Sequence, residues 1–384
     1  MTDRDWHTDA FPELRPGPPW VMQEMIAAQP AVVETLLSSP PPGTSAAAGA
    51  IAAALERDRP VIVCGCGTSE HAAHGIAALL SAALDPCQAA LVQARPAMSA
   101  ALDPAPGACL AVSHDGETRA STLALLAARA AGADTIAITH QDDAGVARAA
   151  EHVLVTPRHD DSWCHTVAYT SALAAGAAIA GHLGPFSAEP AAARRLLERA
   201  TSSTDGALIA DRLADRRVVL CAGAQADHTT ARELALKIAE GARLPTLALE
   251  LETVLHGQLA GHESTDALIL VAITDHPERE RLARRAAHVA RAAAAIDLPV
   301  AGLLSDVYDR ALAAELTPAG RLVTALSDPD LLDRRLAGLL AGAGALQTLT
   351  LELARARHIN PDLIRREQAP YRHAAQEAES SADW

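Results

Sequence analysis

The sequence predicts an α/β protein: two doubly wound parallel-sheet units in tandem, with an N-terminal helix and an extended C-terminal tail. Three observations carry this. Short β-branched runs alternate with longer helical patterns. The alternation stops between 184 and 206, where Pro185, Pro190 and the polar run 201–205 read as a connector with one helix, and it restarts at 217. The halves also repeat. Val61-Ile-Val-Cys-Gly-Cys-Gly-Thr-Ser-Glu-His71 lines up with Val218-Val-Leu-Cys-Ala-Gly-Ala-Gln-Ala-Asp-His228, each a strand, a small-residue turn and a helix start.

The elements follow in order. A helical segment occupies 1–45. The first unit, 46–190, has strands at 60–64, 108–113, 134–139 and 153–156. Helices follow at 70–84, 118–131, 144–150 and 164–183. The second unit, 200–350, has strands at 217–221, 267–273, 299–303 and 321–324, with helices at 227–241, 276–296 and 328–357. The end of that last helix and a polar tail make up 351–384. Strands that are apolar throughout need cover on both faces, which a parallel sheet between helix layers provides.

Composition bounds the rest. A chain of 384 residues fits two or three domains at roughly 150 each. The net charge of −15 disfavours nucleic acid and anionic membranes. No stretch reads as a membrane span, and the start lacks a secretory pattern, so a cytoplasmic protein is expected. Cys64, Cys66, Cys87, Cys109, Cys164 and Cys221 are scattered, as reduced thiols would be. Cys64 and Cys66 have no second ligand pair at finger spacing, so neither a metal nor a cofactor is implied. Lys237 is the only lysine; every other fixed basic side chain is Arg.

Two turns carry chemistry. Cys66-Gly67-Thr68-Ser69 and Ser113-His114-Asp115-Gly116-Glu117-Thr118 each sit between a strand and a helix. Gly and hydroxyl residues let backbone N–H groups at a helix start reach an anion, which the helix dipole favours. Such residues also make plain caps and turns. Their occurrence on successive units of one sheet favours a ligand cradle, and only the first copy keeps the hydroxyls.

This pair of turns resembles the phosphosugar cradle of the sugar isomerase (SIS) family. It is most similar to the isomerase half of glucosamine-6-phosphate synthase, to aminosugar-phosphate deaminase/isomerases and to fructosamine-phosphate deglycases. The likeness extends through Met22–Pro30, 163–173, Glu233–Glu240 and His256-Gly257. The sequence shows neither a glutaminase domain nor a leading Cys nucleophile, so glutamine-using synthesis is not expected. The resemblance implies that Gly67, Thr68, Ser69, Ser113, His114, Asp115, Gly116, Thr118 and His165 face the substrate. It implies that Glu240 shuttles a proton between C1 and C2, that Lys237 steadies the substrate oxygen, and that His256 opens the sugar ring. In that family the histidine comes from the neighbouring subunit, so a homodimer is expected.

The residue types suit aldose–ketose exchange. A carboxylate partly shielded from water can take and return a proton alpha to a carbonyl. Imidazole moves a hydroxyl proton near neutral pH, and an ammonium steadies an oxyanion. Glu233, Lys237 and Glu240, at i, i+4 and i+7, share a helix face, where a surface salt-bridge ladder is the plain alternative.

Three features depart from the family. Asp115 stands where the family has a neutral group. At 4 Å and an effective dielectric near 20, each unit of phosphate charge would cost about 4 kcal/mol. Either Asp115 turns away to cap the next helix, or Arg119 compensates, or the ligand lacks a phosphate there. His114 and His165 replace small or neutral polar residues. The tail carries Arg365, Arg366 and Arg372 but no lysine, which removes Schiff-base closure of the site. The expected function is an aldose–ketose isomerase or isomerising deaminase of a hexose or aminosugar (phosphate). The alternatives are a deglycase splitting an amine–sugar conjugate and a non-catalytic sugar-phosphate sensor. Retention of Lys237, Glu240 and His256 argues against the sensor.

Overall fold

The computed structural model describes residues 15–326 and 330–380. Two five-stranded sheets form its frame. The first contains β1 (Val61–Gly65), β2 (Val92–Pro96), β3 (Ala108–Val112), β4 (Asp134–Thr139) and β5 (His152–Val155), in the order β2-β1-β3-β4-β5. The second contains β6 (Val219–Gly223), β7 (Thr246–Glu250), β8 (Ala267–Ala272), β9 (Val300–Ser305) and β10 (Arg321–Thr324). Its order, β10-β9-β8-β6-β7, is the same topology read from the other edge. All strand pairs within both sheets are parallel. The central strands β1, β3, β6, β8 and β9 are buried along their whole length.

The sequence reading omits β2 and β7. Both are edge strands with exposed positions, as in Val92-Gln-Ala-Arg-Pro96, so neither shows the continuous apolar run of a two-sided strand.

Helices cover both sheets: α1 (Val21–Ser38), α2 (Thr44–Leu55), α3 (Thr68–Ala82), α4 (Pro86–Ala89), α5 (Ala97–Leu102), α6 (Arg119–Ala130), α7 (Gly145–Ala149) and α8 (Val167–Leu183). The series continues with α9 (Pro190–Ser202), α10 (Gly206–Leu213), α11 (Ala226–Lys237), α12 (Arg279–Ala294), α13 (Asp306–Ala311), α14 (Arg334–Ala356) and α15 (Ala369–Ser380). Part of the predicted start of the helix at 328 lies outside the described residues. Helix α14 is long and apolar enough to cross a membrane, but 94% of its apolar window is buried inside the protein. It packs on α9, α10 and α11. Gly338, Gly342 and Gly344 let it approach Thr274, Thr230 and Ala200. One apolar core runs from α1 through both sheets to α14.

Two expectations are corrected. The tail is not extended, because 369–380 forms α15, whose Ala, Gln and Glu residues are good helix formers. Before it, buried Asp362 accepts hydrogen bonds from Val21 N (2.9 Å), Met22 N (2.7 Å) and Ser162 Oγ (3.1 Å), so the tail caps α1. The repeat is also shifted by one residue. Gly67 and Gln225 share φ 56°, ψ −127°, and a Cβ on Gly65 or Gly223 would strike the backbone of Ser69 or Asp227 respectively. Thr68 thus matches Ala226, and Ser69 matches Asp227. The second copy still lacks the hydroxyls.

Candidate active site

Helices α3 and α11 pack together, and their contact builds the charged centre. Thr68, in the first turn of α3, donates to Glu233 Oε1 at 3.2 Å, and His71 Nδ1 lies 2.7 Å from Glu233 Oε2. Lys237 Nζ lies 3.7 Å from Glu233 Oε1 and 2.6 Å from Glu240 Oε2. The Glu233 and Lys237 side chains are 0% exposed and that of Glu240 is 22% exposed. The three residues do share one face, but not a surface ladder: two of them lie inside the protein.

Burial opposes charge on Lys237, yet Glu240 and Glu233 outweigh it and hold the ammonium above its ordinary range. Burial likewise pushes Glu233 up, and the Lys237 charge with the His71 and Thr68 hydrogen bonds brings it below the usual carboxylate range. The helix widens into a π turn over Ile238–Ala242, ended by Arg243 at φ 54°. That turn carries Glu240. Gly241 fits it against its neighbours: a Cβ there would lie 2.9 Å from Thr350 Cγ2 and 3.3 Å from Cys164 Sγ.

The cradle lies at the carboxyl edge of the first sheet. Ser113 Oγ donates to Thr118 Oγ1 at 3.1 Å. Gly116 has φ +74°, and a Cβ there would come 2.3 Å from Ala144 Cβ, so only glycine fits. Ser69 sits in the first turn of α3, after Gly67 and Thr68.

The two copies are each other's control. In the second, Asp227 fills the turn: its carboxylate accepts from Ile273 N (3.0 Å), Thr274 N (3.0 Å) and Thr274 Oγ1 (2.8 Å). The pairing of β1 with β3 and of β6 with β8 makes His114 and Asp115 the counterparts of Ile273 and Thr274. Their N–H groups have no protein acceptor among the described residues. Ser69, in the place of Asp227, brings no carboxylate to them. The first copy therefore leaves open the donors that the second satisfies internally.

Around Asp115 the structure gathers histidines that the sequence reading left out. His140 ends the β4 turn and His159 follows β5. The His114 ring centroid lies 5.6 Å from His140, 5.3 Å from His159 and 5.4 Å from His165. Asp115 does not cap the next helix; its Oδ1 faces His159 Nε2 at 3.4 Å. Asp115 holds His159 up to about 9. Partial burial works against charge on Asp115, but His159 and its neighbours hold it at about 2. Burial, then His165, lowers His114 to about 3, so this ring is neutral; its Nε2 accepts from Asp160 N at 2.9 Å. The Asp160 carboxylate caps α8 through Thr166 N (2.5 Å) and Ala168 N (3.1 Å). The signal for these histidines was positional: each follows a strand whose carboxyl end lies on the cradle edge.

His256 is not brought to Glu240 within one chain. It follows β7, at the carboxyl edge of the second sheet, and it is 68% exposed and ion-paired to Glu252 at 2.8 Å. Glu240 lies at the far end of α11, about 20 Å along the helix from that edge at 1.5 Å per residue.

Residues 54–180 match the SIS domain family. No curated protein matches the sequence. Among solved structures, the C-terminal domain of glucosamine-fructose-6-phosphate aminotransferase from Francisella tularensis superposes with TM-score 0.73 at 16% identity, covering 90% of this chain and 98% of its own. Tagatose-6-phosphate ketose/aldose isomerase from Escherichia coli gives 0.70 at 18%, covering 91% and 97%. Glucosamine-6-phosphate deaminase from Thermotoga maritima gives 0.57 at 18%, covering 89% and 97%. At these identities the likeness is one of fold. Residues 54–180 are thus similar to an SIS domain, and the two-sheet fold that contains them is shared with these solved structures.

Proposed function

We propose that this chain is an aldose–ketose isomerase or isomerising deaminase acting on a hexose or aminosugar phosphate. The observation that carries the reading is the joining of an open cradle to a held carboxylate. Thr68 of the cradle bonds Glu233, which neighbours Lys237, which holds Glu240 at 2.6 Å. By their names, two of the structurally similar proteins are a ketose/aldose isomerase and a deaminase of sugar phosphates, and the third is a domain of a sugar-phosphate aminotransferase.

In this reading the free N–H groups of His114 and Asp115, with Thr68, Ser69, Ser113 and Thr118, receive the anionic end of the sugar. Glu240 takes the proton from C2 and returns it at C1, or the reverse, through an enediol or enolamine. Lys237 offsets negative charge on the substrate oxygen. His256, distant from Glu240 in its own chain, serves the site of a second copy and opens the ring there. The test is solvent deuterium incorporation at C1 of fructose 6-phosphate and at C2 of glucosamine 6-phosphate, with ammonia release followed in parallel. Exchange that disappears in Glu240→Gln supports the reading. Binding without exchange across a panel of sugar phosphates makes the protein a sensor, and release of the amine from an added amine–sugar phosphate conjugate makes it a deglycase.

A further inference from the structure

We propose that Asp115 and His159, with one more imidazole from the same cluster, form a binding site for a first-row divalent cation of the zinc type. The site is separate from the Glu240 centre and does not depend on the reading of that centre. Side-chain atoms of His114, Asp115 and His159 converge to within 4.8 Å of one another. Asp115 Oδ1 and His159 Nε2 stand 3.4 Å apart, long for a charged hydrogen bond. Two donors on one tetrahedral zinc, each bonded at about 2.0–2.2 Å, stand about 3.3–3.5 Å apart.

The outer contacts point the same way. A ligating histidine commonly donates its second ring N–H to a carboxylate or a carbonyl. His159 Nδ1 lies 3.2 Å from Asp161 Oδ1, which leaves Nε2 turned to Asp115. His140 Nδ1 donates to the Thr156 carbonyl at 2.9 Å, which leaves its Nε2 without a hydrogen-bond partner among the described residues. The His140 ring lies 5.3 Å from that of His159. His114 is the other candidate. Its Nε2 accepts the Asp160 amide, so its ring proton sits on Nδ1, and it joins only if that arrangement opens. Two nitrogens and one carboxylate oxygen suit zinc, cobalt or nickel rather than magnesium or calcium. A cation here would also offset the Asp115 charge beside the open N–H groups of the cradle.

Sequence spacing does not reveal the set, because its members come from three strand ends, near 114, 140 and 159. The test uses full-length untagged protein, stripped with chelator and titrated with Zn²⁺ by calorimetry and with Co²⁺ by visible absorption. One ion per chain is expected, with the d–d bands of a four- or five-coordinate nitrogen/oxygen site. Asp115→Asn and His159→Ala, both at half-exposed side chains, should fold with unchanged circular dichroism and lose at least tenfold in affinity. Of His140→Ala and His114→Ala, the one that loses as much identifies the third donor. The proposal is overturned if the stripped wild type takes up no stoichiometric ion. It is equally overturned if affinity survives in Asp115→Asn and His159→Ala, which would assign the ion to other histidines, or if neither His140→Ala nor His114→Ala weakens it. Deuterium exchange at C2 is scored separately: exchange without metal binding sinks this site alone.

Discussion

Replacing Lys237 by Met tests whether the centre is a buried charge network. The ammonium lies 3.7 Å from Glu233 Oε1 and 2.6 Å from Glu240 Oε2, and neither Lys237 nor Glu233 has exposed side-chain surface. At an effective dielectric of 20, the 3.7 Å pair alone corresponds to about 4.5 kcal/mol of attraction. Met fills nearly the same volume, so the loss is mainly electrostatic: Glu233 is left charged, dry and held only by His71 and Thr68. Breaking a buried pair by removing one partner costs about 3–5 kcal/mol. For a chain of 384 residues, with an unfolding entropy near 2.1 cal/mol/K per residue, that lowers Tm by about 5 °C. Calorimetry and urea titration should be run on Lys237→Met, Glu233→Gln and the double variant. The double variant carries no unpaired buried charge from this pair and should recover about 2–4 kcal/mol of the summed losses. A coupling energy below about 0.5 kcal/mol, or a Lys237→Met protein as stable as wild type, would put the pair in the class of surface ladders and refute the argument.

Glu240→Gln should keep the fold and sugar binding while slowing C2 proton exchange by about 10²-fold or more, measured by NMR in deuterated water. Mixed Glu240→Gln and His256→Ala chains, once subunit exchange is shown, should regain activity in hybrid sites; none regained means each site is built from one chain. Asp115→Ser, assayed in chelator-stripped protein, should raise affinity for fructose 6-phosphate about tenfold, and calorimetric titration of both proteins decides it. Burial pushes Asp227 up to about 6, against its three hydrogen bonds. Since the folded value exceeds the unfolded one, the stabilisation belongs to the protonated form. It is full below about pH 4 and fades as pH rises through about 6, by roughly 3 kcal/mol. Urea midpoints between pH 4 and 7 should show this slope in wild type and a flatter one in Asp227→Asn.

The legible parts of the sequence were those fixed by local periodicity and by paired motifs. The strands at 108–112 and 134–139, buried along nearly their whole length, stood out as apolar runs, and the edge strands β2 and β7, with one buried position between them, did not. Glu233, Lys237 and Glu240 could be placed on one face from spacing alone. Their burial could not, because it comes from the packing of α3 on α11, which joins residues some 165 positions apart. Asp115 was visible as an anomaly, and spacing offered Arg119 one turn on as its partner. The facing cation is instead His159, brought by a strand two places across the sheet.

The divergence of the two copies gives the site its direction. Both keep the strand, the left-handed residue at 67 or 225 and the helix start, so both present backbone N–H groups at the same edge. The second copy closes its pair with its own carboxylate, Asp227, which is buried and immobilised by Ile273 and Thr274. An external anion there would have to displace a covalently attached one at very high effective concentration. The first copy carries Ser69 at that position, and the equivalent N–H groups of His114 and Asp115 have no protein acceptor among the described residues. Helix α11 of the closed copy then supplies Lys237, with Glu240 on the turn that follows, to the open one. In the proposed function one copy binds while the other contributes charge, so that neither sheet alone would hold a complete site.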